Sequence, residues 1–85
     1  MYEKFLALDE NKRDIILRAA LQEFGKYGYK KTSVEQIAES AGISKSMVFH
    51  YFGSKLSLFE FLASFTADFG IGISEKFLEN IEDLD

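Results

Sequence analysis

The chain has 85 residues, 47% of them apolar, with no proline, no cysteine and a formal charge of −4. This length suits one small domain, and the apolar content excludes a disordered polymer. The missing cysteines exclude disulfides and thiolate metal sites.

The opening "MYEKFLALDENKR" lacks the basic stretch and apolar run of a secretory signal. No segment approaches the roughly 18 consecutive apolar residues of a membrane span, so a cytoplasmic location is expected. Charge is unevenly distributed: residues 1–25 carry −1, residues 26–55 carry +3 and residues 56–85 carry −6. Because a surface attracts by its local field, the middle third can face a polyanion and the last third cannot.

Helical spacing begins at Asp9, an N-cap candidate. Ile15, Ile16, Ala19, Ala20 and Phe24 recur at three- and four-residue steps. Gly25 or Gly28 can stop this helix, and "KYGYKK" then reads as a loop. Thr32-Ser33-Val34-Glu35 has the form of a capping box. The helix it starts puts Val34, Ile37, Ala38 and Ala41 on one face, and Gly42 can end it in a left-handed conformation.

One residue later, Ser44 can cap a third helix that carries Val48, Phe49 and Phe52 inward until Gly53. Ser54 can cap a fourth, with Leu58, Phe59, Leu62, Phe65 and Phe69 as its apolar positions. Gly70 and Gly72 weaken helix propensity there by about 1 kcal/mol each relative to alanine. A last piece, Ser74 to Leu84, has a stripe of Phe77, Leu78 and Ile81. With no alternating strand pattern and no repeat, the expected class is all-α.

Residues 37–48 then read as a helix-turn-helix. Ala38 is small where the next helix crosses, Gly42 permits the sharp turn, and Ile43 and Val48 fill the space between the helices. The outward side of the third helix offers Ser46, Met47 and His50, flanked by Lys45, without one acid. That composition suits a helix lying in the major groove of DNA. Lys55 stands in the first turn of the fourth helix, where the macrodipole disfavours a cation. With Ser54 and the free amides of that turn it forms a candidate phosphate site. His50 has no cysteine and no helically spaced carboxylate in its helix to share a metal. It also has no nucleophile–base–acid arrangement around it, so neither an enzyme nor a cofactor is expected.

The stretch "KKTSVEQIAESAGISKSMVFHYFGSKLSLF" at residues 30–59, with "AALQEFGKYGY" before it, resembles the DNA-binding region of TetR-family transcriptional regulators. The resemblance implies a three-helix DNA-binding bundle over residues 1–53. A linking helix and the truncated start of a helical regulatory region would follow over residues 54–85. It also implies a homodimer that binds a palindromic operator on double-stranded DNA as a repressor, and releases it when a small-molecule effector occupies the C-terminal region.

By position, Lys45, Ser46 and Met47 fall where the family places groove-facing residues. Thr32 and Ser33 fall where a helix start meets backbone phosphate, with Ser44 at the next helix start. Lys55 matches the family's phosphate-contacting lysine, and His50 and Tyr51 lie in the aromatic segment near backbone or bases. Two departures stand out: position 46 is commonly glycine or another small residue, where Ser46 is small but can also hydrogen-bond, and Phe49 replaces a common tyrosine whose hydroxyl binds phosphate. A rival reading is a protein-interaction module using the same helices, with the Phe-rich, acidic C-terminal third as its surface.

Overall fold

In the computed structural model, residues 2–69 are described, with side chains described through residue 64. These residues form five helices in the order α1 (Glu3–Leu6), α2 (Glu10–Tyr27), α3 (Val34–Ala41), α4 (Lys45–Phe52) and α5 (Lys55–Phe69). There is no strand among them, and none of the helices is long and apolar enough to cross a membrane. The fold is all-α, as the spacing indicated. The side chains of Phe65 and Phe69, both Gly70 and Gly72, and the segment from Ser74 to Leu84 lie outside the described residues.

Helix α1 was not apparent in the sequence, because four residues are too few to show a period. Its cause is the burial of one ring. Phe5 is 1% exposed and packs against Phe52, Phe61 and Tyr51 at centroid distances of 4.8, 5.7 and 6.1 Å. Burying such a ring contributes roughly 1.5–3 kcal/mol towards holding the segment against the core. Arg13 pins the turn by donating from Nη1 to the Leu6 carbonyl at 3.0 Å.

Helix α2 starts where expected: the Asp9 carboxylate accepts from the Lys12 amide at 2.9 Å. Its buried stripe is Ile16, Leu17, Ala19, Ala20 and Phe24. Ile15 does not belong to it, being 53% exposed. The stripe is centred between Ile16 and Leu17 on the helical wheel, near Ala20. At 3.6 residues per turn Ile15 therefore points roughly 130° away from that centre.

Helix α3 begins one residue later than the capping-box reading placed it. Ser33, not Thr32, is the N-cap: its hydroxyl accepts from the Gln36 amide at 3.1 Å. The Gln36 side chain in turn accepts from the Ser33 amide at 2.8 Å. Thr32 turns inward instead, 1% exposed, and its hydroxyl donates to the Glu23 carbonyl on α2 at 2.9 Å. A buried hydroxyl needs such a partner. Glu35 is thereby released from the capping role.

The turn from α3 to α4 depends on Gly42, which has φ +73° with nothing within 4 Å of an added Cβ. Its requirement is conformational, not spatial. The amides of Gly42 and Ile43 satisfy the carbonyls of Glu39 and Ala38 at 3.2 and 3.0 Å. Ser44 accepts from the Met47 amide at 3.1 Å, and Ser54 from the Ser57 amide at 3.0 Å, so both serine caps form as expected. Leu58, Phe59 and Leu62 on α5 are fully buried with Ile37, Ala20 and Phe24 in one core. Among the described residues α3 rests chiefly on α2, and α4 is held between α3, α1 and α5.

Candidate nucleic-acid interface

Helix α4 buries only Val48 and Phe52, which are four residues apart and so lie on one narrow stripe. Everything else on it faces outward or to the flank. Lys45, Ser46, Met47, Phe49 and His50 are exposed, and Tyr51 is half-buried. Phe49 departs from the inward placement read from the sequence: it is 38% exposed, as is Met47. It sits on the flank of the stripe, and Lys45 reaches across it with Nζ 5.9 Å from the ring centroid. His50 meets Tyr51 edge-on at 5.7 Å.

The outward face of α4 contributes no acid of its own, yet one approaches from α3. Lys45 Nζ lies 2.9 Å from Glu35 Oε1, with both side chains more than half exposed. That hydrogen bond, with the charge behind it, holds the Glu35 carboxyl below the usual carboxylate range. Ten residues separate the partners in sequence, so no helical spacing could have announced the pair.

At the start of α5, Lys55 Nζ stands 4.3 Å above the ring of Tyr29. Tyr29 comes from the loop after α2. It is braced by Phe59 at 5.0 Å edge-on and by Phe24 at 6.0 Å stacked. Burial lowers the Lys55 ammonium pKa from its ordinary value, since leaving water disfavours the charged form. The ring face repays part of that cost. Tyr29 was not singled out in the sequence; its only signal was an aromatic within a lysine-rich loop.

These two contacts give the surface its continuity. The segment from Tyr29 to Glu35 touches the start of α5 at one end and the start of α4 at the other. It carries exposed Lys30 and Lys31 between them, with Ser33 half-buried. Thr32 does not join this surface, because its hydroxyl is spent on α2. The hydroxyls of Ser33 and Ser44 already accept from backbone amides, yet each keeps its own proton to donate.

A family model for bacterial regulatory proteins of the tetR family matches residues 16–62, more than half of the chain. The chain belongs to the TetR family. Over 48 residues this TetR-family chain is 48% identical to the HTH-type transcriptional regulator RutR of Escherichia coli strain K12, covering 56% of the chain and 23% of RutR. It is 40% identical over 53 residues to the HTH-type transcriptional repressor AcnR of Corynebacterium glutamicum, covering 62% and 28%. It is 38% identical over 74 residues to the HTH-type transcriptional dual regulator CecR of Shigella flexneri, covering 87% and 31%. A crystal structure of a HlyIIR mutant protein superposes with a TM-score of 0.56 at 38% identity, covering 60% of this chain and 29% of that one. The chain thus spans less than a third of the length of these relatives. RutR, AcnR and CecR are named as transcriptional regulators, AcnR as a repressor and CecR as a dual regulator.

Proposed function

We propose that the chain is the DNA-binding part of a transcriptional regulator, acting as a repressor in the cytoplasm. The reading is carried by one observation: α4 buries only Val48 and Phe52 and leaves Lys45, Ser46, Met47, Phe49 and His50 exposed. Such a helix has the width and the donors to enter a major groove, where lysine meets guanine O6 and N7 and apolar groups meet the thymine methyl.

In this reading Lys45, Ser46 and Met47 read base edges, and His50 and Tyr51 lie toward the backbone. Lys55 grips a phosphate at the start of α5, and Ser33 and Ser44 donate to phosphates beside it. Phe49, lacking a hydroxyl, gives apolar contact in place of a phosphate hydrogen bond. Residues 1–53 form the DNA-binding unit, and residues 54–85 lead into a regulatory region. Family membership supports a homodimer on a palindromic operator with half-sites about one helical turn apart, released by a small-molecule effector.

Selection from a random duplex library with the full-length protein tests this. A single enriched palindrome is expected, bound with an affinity that falls steeply with salt as counterions are released. Absence of any enriched site, together with capture of a specific protein partner, would favour the interaction-module reading instead.

A further inference from the structure

Lys45 occupies the first turn of α4, where the helix dipole is unfavourable to a cation, while Glu35 occupies the first turn of α3, where it is favourable to an anion. The two side chains meet at 2.9 Å. The same ammonium lies over the Phe49 ring, 5.9 Å from its centroid. On meeting a duplex, a free lysine at this place would take the nearest phosphate and add affinity for every sequence alike.

With Glu35 beside it the choice of acceptor changes. A phosphate that approaches Lys45 brings a second negative charge close to the carboxylate, and like charges at such range repel. A guanine O6 or N7 is neutral. An ammonium has three donors, so Lys45 can keep Glu35 on one and offer another to a base edge.

We infer that Glu35 is a specificity-determining positioning residue, which holds the Lys45 ammonium off the phosphate backbone and leaves it available to a neutral base-edge acceptor. This rests on the DNA-binding reading above and adds to it a residue that touches no DNA itself. Glu35 therefore lowers affinity for indiscriminate DNA and raises the ratio of operator to random binding.

The test uses the full-length protein with Glu35→Gln, Lys45→Ala and the double variant, on a random-sequence duplex and on the duplex selected from the library. Glu35→Gln keeps the side-chain length at an exposed position, and a thermal melt checks that the fold persists. The expected result is tighter binding of random duplex and a salt slope steeper by about one per protomer, as one more phosphate is neutralised. Operator affinity should change far less, so that discrimination falls by roughly threefold or more over ordinary salt. In the Lys45→Ala background the same replacement should leave the slope where it was.

An unchanged slope and unchanged random-duplex affinity in Glu35→Gln would overturn the inference. So would an equal gain with and without Lys45, because Glu35 would then act by direct repulsion of DNA. If the unaltered protein binds no duplex in a salt-dependent manner, the DNA-binding reading falls and takes this inference with it. If it binds and Glu35→Gln changes nothing, only this inference falls.

Discussion

The starts of α4 and α5 look alike in sequence and differ in environment. Each has a serine cap followed at once by a lysine, Ser44-Lys45 and Ser54-Lys55. Lys45 is exposed and meets a carboxylate. Lys55 is partly withdrawn from water and lies over an aromatic ring. The first is a charge held by another charge, screened by salt and able to exchange partners. The second is a charge whose place is set by core packing, because Tyr29 is braced by Phe24 and Phe59. Two identical local signals thus give one adaptable cation and one preset cation.

The strongest way to break this contrast is at Phe59, which is fully buried beneath Tyr29. Phe59→Ala should cost about 3–5 kcal/mol of stability, as large-to-small aromatic changes in cores do. Denaturant unfolding measures it, and a loss below about 1 kcal/mol would show that the ring supports little. Next comes Thr32→Val, which leaves the Glu23 carbonyl without the hydroxyl it receives at 2.9 Å. A loss of roughly 1–3 kcal/mol is expected by the same measurement. A neutral result would mean that water replaces the hydroxyl.

On DNA, Lys55→Ala should weaken binding to all sequences and shallow the salt slope by about one. Met47→Ala should instead alter which bases are preferred, with stability changed by no more than about 0.5 kcal/mol. A shift of preference on replacing Lys55 would reverse the two roles.

The smallest effect concerns pH. Burial lowers the Lys55 pKa below the 10.5 of a free lysine, so between the two values the unfolded chain holds a proton that the folded chain has released. Folding stability from this group therefore rises as pH climbs through that window. DNA phosphate favours the charged form, so duplex affinity should begin to decline below the ordinary lysine range. Lys55→Arg should abolish that decline, since arginine stays protonated. An identical pH profile in the two proteins would place Lys55 away from phosphate.

Much of this is legible in the amino-acid sequence. Local rules acting within four residues placed the Asp9, Ser44 and Ser54 caps, the Gly42 turn, and the Val48–Phe52 stripe. Where two neighbouring residues could serve the same rule, local reading failed. Thr32 and Ser33 compete for one cap, and the difference lies in whether a hydroxyl finds the Glu23 carbonyl across the α2–α3 seam. Ile15 failed because it points away from the buried stripe of α2, and Phe49 because it lies on the edge of the α4 stripe. An apolar residue on the flank of a stripe is buried only if a neighbouring helix covers that flank.

The amino-acid sequence by itself determined helices α2 to α5, the Asp9, Ser44 and Ser54 caps, the turn between α3 and α4 and the acid-free outer side of α4, because each follows from contacts a few residues long. Only the tertiary structure decided α1, the Lys55–Tyr29 stack and the Glu35–Lys45 pair. Each of these joins segments from different elements whose approach is set by packing around Phe5, Phe24 and Phe59, and such approach leaves no period in the chain.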